Sequence, residues 1–311
     1  MKMACRSSDE LKKLVEEARK ETVHGRVADY IPALGKADPG DLSIAIQYPG
    51  GECVSAGDVE EKITLQSVSK VISLAYVLME RGPGYVFDRV GMEPTGDPFN
   101  SIAKLETMAP AKPLNPMINA GALVVTHMVE GSSPDERFEK LLGFVRRLAD
   151  DETIGYCREV AESELRTADL NRALCYFLKQ HDVIQEDVED LLDLYTRQCA
   201  IEMNCLNLAR IGLVFALDGK DPRTGGEIMP RDIARICKTF MVTCGMYNAS
   251  GEFAIKIGIP AKSGVSGGIM GAVPGRFGIG IFGPALDERG NSIAGIRLLE
   301  LLSKNYSLSM F

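Results

Sequence analysis

Histidine is scarce in this chain. There are three in 311 residues, and His24, His127 and His181 lie far apart with no carboxylate at ligand spacing. That pattern does not supply a zinc site, so no metal is expected, and it leaves little room for a Ser-His-Asp triad. A hydrolase built from this sequence needs a base other than histidine. The eight cysteines contain no C-x-x-C pair, and a chain this long is not read as a disulfide scaffold. No apolar run is long enough to cross a bilayer. The N-terminus, Met1-Lys2-Met3-Ala4-Cys5, leads into charged sequence without a signal-peptide core, so a cytoplasmic location is expected. Basic residues are outnumbered, 35 Lys and Arg against 43 Asp and Glu, for a formal charge of -8. This excludes a nucleic-acid partner and an anionic membrane surface, both of which require a basic face. Internal repeats and low-complexity linkers are also missing, which argues against a separable extra domain.

What is present is a sizeable core: 45% of residues are hydrophobic, enough for one large domain or two closely packed ones. Ser7-Ser8-Asp9-Glu10 reads as a capping box before an amphipathic helix through Leu11, Leu14, Val15 and Ala18. Alternation over residues 42–48, a Gly50-Gly51 turn and Cys53-Val54-Ser55 predict a β-hairpin. The middle third has helical spacing, over residues 119–129, 134–149, 159–180, 185–200 and 205–217. A further helix over 230–244 precedes a Gly-punctuated region read as three antiparallel strands, 253–259, 264–273 and 277–282. A closing helix covers 292–302. The expectation is an α+β fold in which one antiparallel sheet is built from both ends of the chain, residues 1–70 with 222–311, and flanked by helices. A helical domain, 71–221, is inserted, and the active site lies between the two parts.

Two short motifs carry chemistry. Ser67-Val68-Ser69-Lys70 follows the extended run Lys62-Ile63-Thr64-Leu65-Gln66 and opens a strongly apolar helix. The spacing puts hydroxyl and amine one turn apart on one helix face, near the positive end of the dipole. A serine there is placed to attack a carbonyl, and a lysine disfavoured as a cation can take its proton. On its own S-x-x-K is weak, since roughly one chance copy is expected in a chain this long, and a helix cap with a solvated lysine explains it. A second copy, Ser101-Ile102-Ala103-Lys104, follows a turn-rich stretch with no strand before it and is read as the accidental one. The other motif, Lys262-Ser263-Gly264, sits on an expected strand downstream. S-x-x-K followed by Lys-Ser/Thr-Gly is the pairing of the serine β-lactamase and penicillin-binding class, and the N–H groups of Ser67 and Val265 could form an oxyanion hole.

The chain resembles the bacterial serine-dependent glutaminases along nearly its whole length. The matching stretches are Val27 to Pro32, Leu65 to Lys70, Asn115 to Ala122, Ser163-Glu164 through Asn171, Tyr195 with Cys199, Cys244 to Tyr247, and Ala261 to Val265. The resemblance implies a β-lactamase/D,D-peptidase-like fold, hydrolysis of L-glutamine to glutamate and ammonia, no cofactor, and a homodimer or homotetramer. It assigns Ser67 as nucleophile with Lys70 as its partner, and places Tyr30 and Tyr247 beside them. Asn119, Glu164, Asn171, Tyr195 and the backbone of Val265 fall at substrate-contacting positions, as do Ser67 and Tyr247. Between Glu164 and Asn171 the sequence Leu-Arg-Thr-Ala-Asp-Leu departs from the family pattern.

Residue chemistry is consistent with each role. Glutamine needs a carboxylate for its ammonium, which Glu164 supplies, although a lone helical glutamate is ordinarily a surface charge. Asn119 and Asn171 can donate to the substrate carboxylate, or simply cap helices. Tyr195 and Tyr247 can serve the site or pack, and either Lys70 or a tyrosine can be the base. A β-lactamase or D,D-peptidase-like acyl hydrolase shares Ser67, Lys70 and the Lys262 strand, and a non-catalytic amino-acid-binding relative would keep the pocket. Both remain alternatives at this point.

Overall fold

The computed structural model describes residues 5–107 and 112–311, without the side chains of Lys104 and Thr107. Residues 1–4, part of the stretch read for an export signal, and the lysine side chain of the second S-x-x-K copy therefore lie outside what is described. The chain opens with α1 (Ser8–Arg19), capped by Ser7, whose hydroxyl accepts from the Glu10 N–H. A hairpin follows, β1 (Ser43–Gln47) and β2 (Cys53–Gly57), turned by Gly50 and Gly51 at φ 92° and 95°. The short β3 (Ile63–Thr64) leads through a tight turn into α2 (Ser69–Arg89).

The helical stretch continues with α3 (Ala103–Thr107), α4 (Asn119–His127) and α5 (Pro134–Ala149). Next come β4 (Gly155–Tyr156), α6 (Arg158–Arg166), α7 (Asp169–Gln180), α8 (Val188–Cys199), β5 (Ile201–Met203) and α9 (Cys205–Ala216). The chain closes with α10 (Arg231–Cys244), α11 (Ser250–Lys256), the strands β6 (Ala261–Ser263), β7 (Gly268–Val273) and β8 (Phe277–Phe282), and α12 (Ile293–Tyr306).

The architecture is α+β, with a five-stranded antiparallel sheet in the order β2-β1-β8-β7-β6 built from both ends of the chain. Ala45 of β1 stands opposite Ser55 of β2 and Gly280 of β8. Period-two alternation sorts the strands' two faces. Ile44, Ile46, Ile279 and Ile281 join Leu11, Val15, Leu298 and Leu302 of the terminal helices in one apolar cluster. On the opposite face Ala45 meets Cys205 and Ala209 of α9. Small residues are required there: a Cβ on Gly280 would overlap the Cys205 carbonyl, and one on Gly278 would overlap the backbone of α9. Helix α9 lies in the stretch assigned by sequence to the helical part, yet it packs directly on the sheet. A second, larger core lies among the other helices, with the N-terminal half of α2 and most of α4 buried in it.

Three elements differ from the sequence reading. The strand read over 264–273 begins only at Gly268, because Gly264 to Gly267 form the turn that joins it to β6. Residues 253–259, read as a strand, form most of α11 and its C-terminal turn. The β-branched pattern that suggested a strand is outweighed by tertiary packing of Phe253 and Ile257 beneath α12. The helix read over 159–180 is two helices, broken at Thr167 and Ala168. Nothing in the local spacing marks that break, since neither glycine nor proline is present there.

A second, three-stranded sheet, β3-β5-β4, does the positioning. Strand β5 follows α8 with only Ala200 between, and pairs with β3 so that Ile63 stands opposite Met203 and Thr64 opposite Glu202. The C-terminal end of α8 is thereby carried to the turn that precedes α2. On the other edge β4 pairs with β5 and delivers the start of α6.

Candidate active site

Ser67 lies in a single 3-10 turn, Gln66–Val68, between β3 and α2. The preceding Gln66 has φ 45°, a left-handed conformation uncommon for a residue with a side chain. Local strain of this kind marks a turn held in place by its surroundings. The Lys262-Ser263-Gly264 strand supplies them. A Cβ on Gly264 would come within 2.6 Å of the Leu65 carbonyl and 3.4 Å of the Ser67 nitrogen, so only glycine allows the strand to lie against the turn. Ser266 ties the same segment to β3, donating to the Thr64 carbonyl at 2.6 Å. The N–H of the intervening Val265 has no backbone acceptor among the described residues.

Lys70, in the first turn of α2, is fully buried. Its Nζ donates to Asn119 Oδ1 at 2.6 Å and to the Met117 carbonyl at 3.2 Å. Burial lowers its pKa to about 8, against the opposing pull of Cys199 and Glu164. Asn119 passes the contact on, its Nδ2 donating to Asn171 Oδ1 at 3.0 Å. Neither asparagine caps its helix. The N-cap positions of α4 and α7 are Ile118 and Ala168, so neither amide is spent on a helix end.

Glu164, near the end of α6, is 9% exposed. Burial raises its carboxyl to about 7, although the Gln66 amide at 3.2 Å and the Lys70 charge both favour the ionised form. Tyr195 is buried on α8, and burial likewise lifts its phenol well above the usual value.

Tyr247 begins a short turn with φ 54°. Its ring lies between Phe99, 4.7 Å away, and the Lys262 ammonium, 4.5 Å from the ring centroid. Its hydroxyl adjoins the Ser67 side chain, but the two do not meet hydrogen-bonding geometry, and the buried phenol oxygen has no partner. Lys262 is itself fully buried, and its Nζ donates to the Ser263 carbonyl at 2.5 Å. Burial and then the nearby Lys70 push it well below the ordinary lysine value. Tyr30 is 57% exposed and forms the outer wall.

These groups share one cavity of about 140 Å³. Its lining includes Tyr30, Ser67, Asn119, Glu164, Asn171, Tyr195 and Val265. Lys70 and Tyr247 stand immediately behind that lining, and every residue singled out from sequence is brought together. Eight further lining residues were not singled out as site residues, among them Gln66, Phe99 and Cys199. Gln66 and Cys199 stood inside stretches already matched, whereas Phe99 carried no local signal. Among the described residues no group of three or more His, Cys, Asp or Glu side chains is placed to hold a metal ion, and no helix is long and apolar enough to cross a membrane.

Comparison with known proteins agrees with this arrangement. A family model described as Glutaminase matches residues 25–311. The chain belongs to the glutaminase family. Similar relatives include a glutaminase of Geobacillus thermodenitrificans, 69% identical over 98% of this chain and 99% of its own. Glutaminase 2 of Bacillus subtilis is 65% identical over 99% of this chain and all of its own. Among solved structures, a Bacillus subtilis glutaminase in covalent complex with 5-oxo-L-norleucine, formed by reaction with 6-diazo-5-oxo-L-norleucine, superposes with a TM-score of 0.90. It is 42% identical, covering 98% of this chain and 99% of that one. The fold of this glutaminase is therefore that of its relatives, with antiparallel sheets flanked by helices.

Proposed function

We propose that this glutaminase releases ammonia from the side-chain amide of L-glutamine by two-step acyl transfer at Ser67. The observation that carries the reading is the convergence, on one small cavity, of a serine in a strained turn, a buried lysine with a depressed pKa and a buried carboxylate. The substrate ammonium pairs with Glu164, and its carboxylate is taken by the Asn119 and Asn171 amides and the Tyr195 hydroxyl. Tyr30 covers the outer side. Ser67 attacks the side-chain amide carbon as Lys70 takes its proton, and the N–H groups of Ser67 and Val265 hold the oxyanion. Tyr247, whose hydroxyl adjoins Ser67, relays that proton to the leaving nitrogen. Water then hydrolyses the γ-glutamyl ester. Protein groups supply every proton transfer in this scheme, so it uses no cofactor.

The order of the two motifs supports placing the fold with the serine β-lactamases and D,D-peptidases. Under that placement residues 1–70 and 222–311 form the sheet part, 71–221 the helical part, and the site lies between them. The family resemblance further supports a cytoplasmic homodimer or homotetramer. The covalent complex formed by the Bacillus subtilis relative supports an activated nucleophile. The experiment is to treat this chain with 6-diazo-5-oxo-L-norleucine and map the adduct by peptide mass. One label on Ser67 is expected, whereas a label on Cys199, which lines the same cavity, would replace the serine mechanism by a thiol one.

A further inference from the structure

The third residue of the Ser67-Val68-Ser69-Lys70 motif is not part of the cavity wall. Ser69 is the first residue of α2 and is 2% exposed. Its hydroxyl proton goes to the Gln66 carbonyl at 2.7 Å, and Gln66 is the residue held at φ 45° immediately before the nucleophile. A serine that bonds back to its own turn is an ordinary local contact. The group that meets the other side of the same oxygen comes from a different helix.

Gln198, on α8 and equally buried, donates from Nε2 to Ser69 Oγ at 3.2 Å and to Ser73 Oγ, one turn further along α2, at 3.3 Å. Its Oε1 lies 3.4 Å from the Thr126 hydroxyl of α4, which also donates to the Ala122 carbonyl at 2.9 Å. A carboxamide buried among apolar helices is costly to desolvate unless its N–H groups find acceptors, and here both do. The two acceptors differ in what lies behind them. Ser73 passes on only to the Lys70 carbonyl, inside the regular part of α2. Ser69 passes on to the strained turn. Left-handed backbone at a residue with a side chain persists only where its surroundings fix it. Gly264 presses on this turn from the strand side, and the Gln66 amide is bonded to Glu164. The chain from Gln198 through Ser69 fixes it from α8.

We propose that Gln198 is a positioning residue for the reaction: acting through Ser69, it holds the turn before Ser67 in the conformation from which the serine attacks. The inference rests on the Ser67 acyl-transfer reading above. Helix α8 also carries Tyr195 to the cavity, so the amide ties a wall of the substrate pocket to the nucleophile turn. No bond of the reaction passes through Gln198 or Ser69. Their contribution is to attack geometry, where a displacement of about 1 Å costs on the order of a hundredfold in rate. It therefore falls on kcat, and not on the binding assigned to Glu164, Asn119 and Asn171.

The test compares Ser69→Ala, Ser73→Ala, Gln198→Leu, the double variant Ser69→Ala/Gln198→Leu and Ser67→Ala in the full chain. For each, kcat and KM for glutamine, the maximal rate of labelling by 6-diazo-5-oxo-L-norleucine and the melting temperature are measured. Ser69→Ala and Ser73→Ala each remove one acceptor of the same amide, so their melting temperatures should fall alike. Only Ser69→Ala should lower kcat, by about tenfold, with KM within about twofold and labelling slowed by a similar factor. Ser73→Ala should keep kcat within about twofold. Gln198→Leu reaches the turn from α8 and should reproduce the Ser69→Ala loss. The double variant should be no worse than either single one by more than about twofold, since residues acting in one chain are not additive. Should Ser69→Ala not fold, Gln198→Leu against Ser73→Ala makes the same comparison. Equal kcat losses in the two serine variants would overturn the proposal, since the amide would then be structural. A loss confined to KM, or losses that multiply in the double variant, would overturn it too, and the mechanism would stand as long as turnover needs Ser67. Turnover that survives Ser67→Ala would bring down the mechanism and the proposal together.

Discussion

The Lys70 ammonium is held 2.6 Å from the Asn119 side-chain oxygen, and Asn119 in turn donates to Asn171. The base proposed for catalysis is thus tethered to an amide proposed to bind substrate. Asn119 offers Lys70 an acceptor without a negative charge, so burial is free to depress the lysine. Asn119→Asp would place a carboxylate against Nζ and raise that pKa by at least about one unit, as an opposite charge at contact does. The alkaline-rising limb of kcat/KM against pH should move up by the same amount. A limb that stays in place would separate Lys70 from the proton transfer.

In the unsubstituted enzyme two ionisations should govern kcat/KM. Glu164, raised to about 7, must be anionic to hold the substrate ammonium, and Lys70, lowered to about 8, must be neutral to accept a proton. Both active forms lie on the alkaline side. The logarithm of kcat/KM should therefore rise with slope two below about pH 7, with slope one between about 7 and 8, and level off above. A profile falling through pH 7 to 8 would contradict both assignments.

Glu164→Gln keeps the shape of the pocket wall and removes its charge. Leaving the substrate ammonium desolvated without a partner should cost about 2–5 kcal/mol in kcat/KM. An exposed helical glutamate would cost no more than about 0.5 kcal/mol. The preference for glutamine over N-acetylglutamine, whose amine is neutral, should narrow in the same variant, and an unchanged ratio would remove Glu164 from substrate recognition.

Ser67→Ala should abolish ammonia release and leave the circular dichroism spectrum unchanged, since it removes one hydroxyl at the cavity wall and leaves the apolar cores intact. Ser101→Ala is the control and should retain near-normal turnover. The reverse outcome, an active Ser67 variant and a dead Ser101 variant, would show that the nucleophile had been taken from the wrong motif.

Stability should be most sensitive where α9 rests on the sheet. Gly280→Ala forces a methyl group into the Cys205 carbonyl, and displacing a helix backbone should cost about 3 kcal/mol, or roughly 6–12 °C in melting temperature. Gly143→Ala, in α5 with open space around its Cβ position, should instead stabilise by about 0.5–1 kcal/mol. Equal melting temperatures for the two variants would rule out direct backbone packing of α9 on β8.

Much of this architecture is legible in local pattern. Helix α5 occupies 134–149 as its spacing predicts, α10 and α12 fall within a few residues of theirs, and the hairpin turns at Gly50 and Gly51. Those signals act through periodicity and turn chemistry, which need no knowledge of distant partners. The Ser67–Lys70 spacing acts locally in the same way, placing both residues at the entry to α2. What only the tertiary structure decided is non-local. It turned residues 253–259 from strand to helix, split α6 from α7, and brought Cys199 and Gln66 into one cavity by pairing β3 with β5. It also set the protonation chemistry: Glu164 looks like a solvated surface charge in sequence, and burial, not its neighbours along the helix, makes it a poised carboxylate. Desolvation is a property of everything packed around a group, so no stretch of sequence carries it.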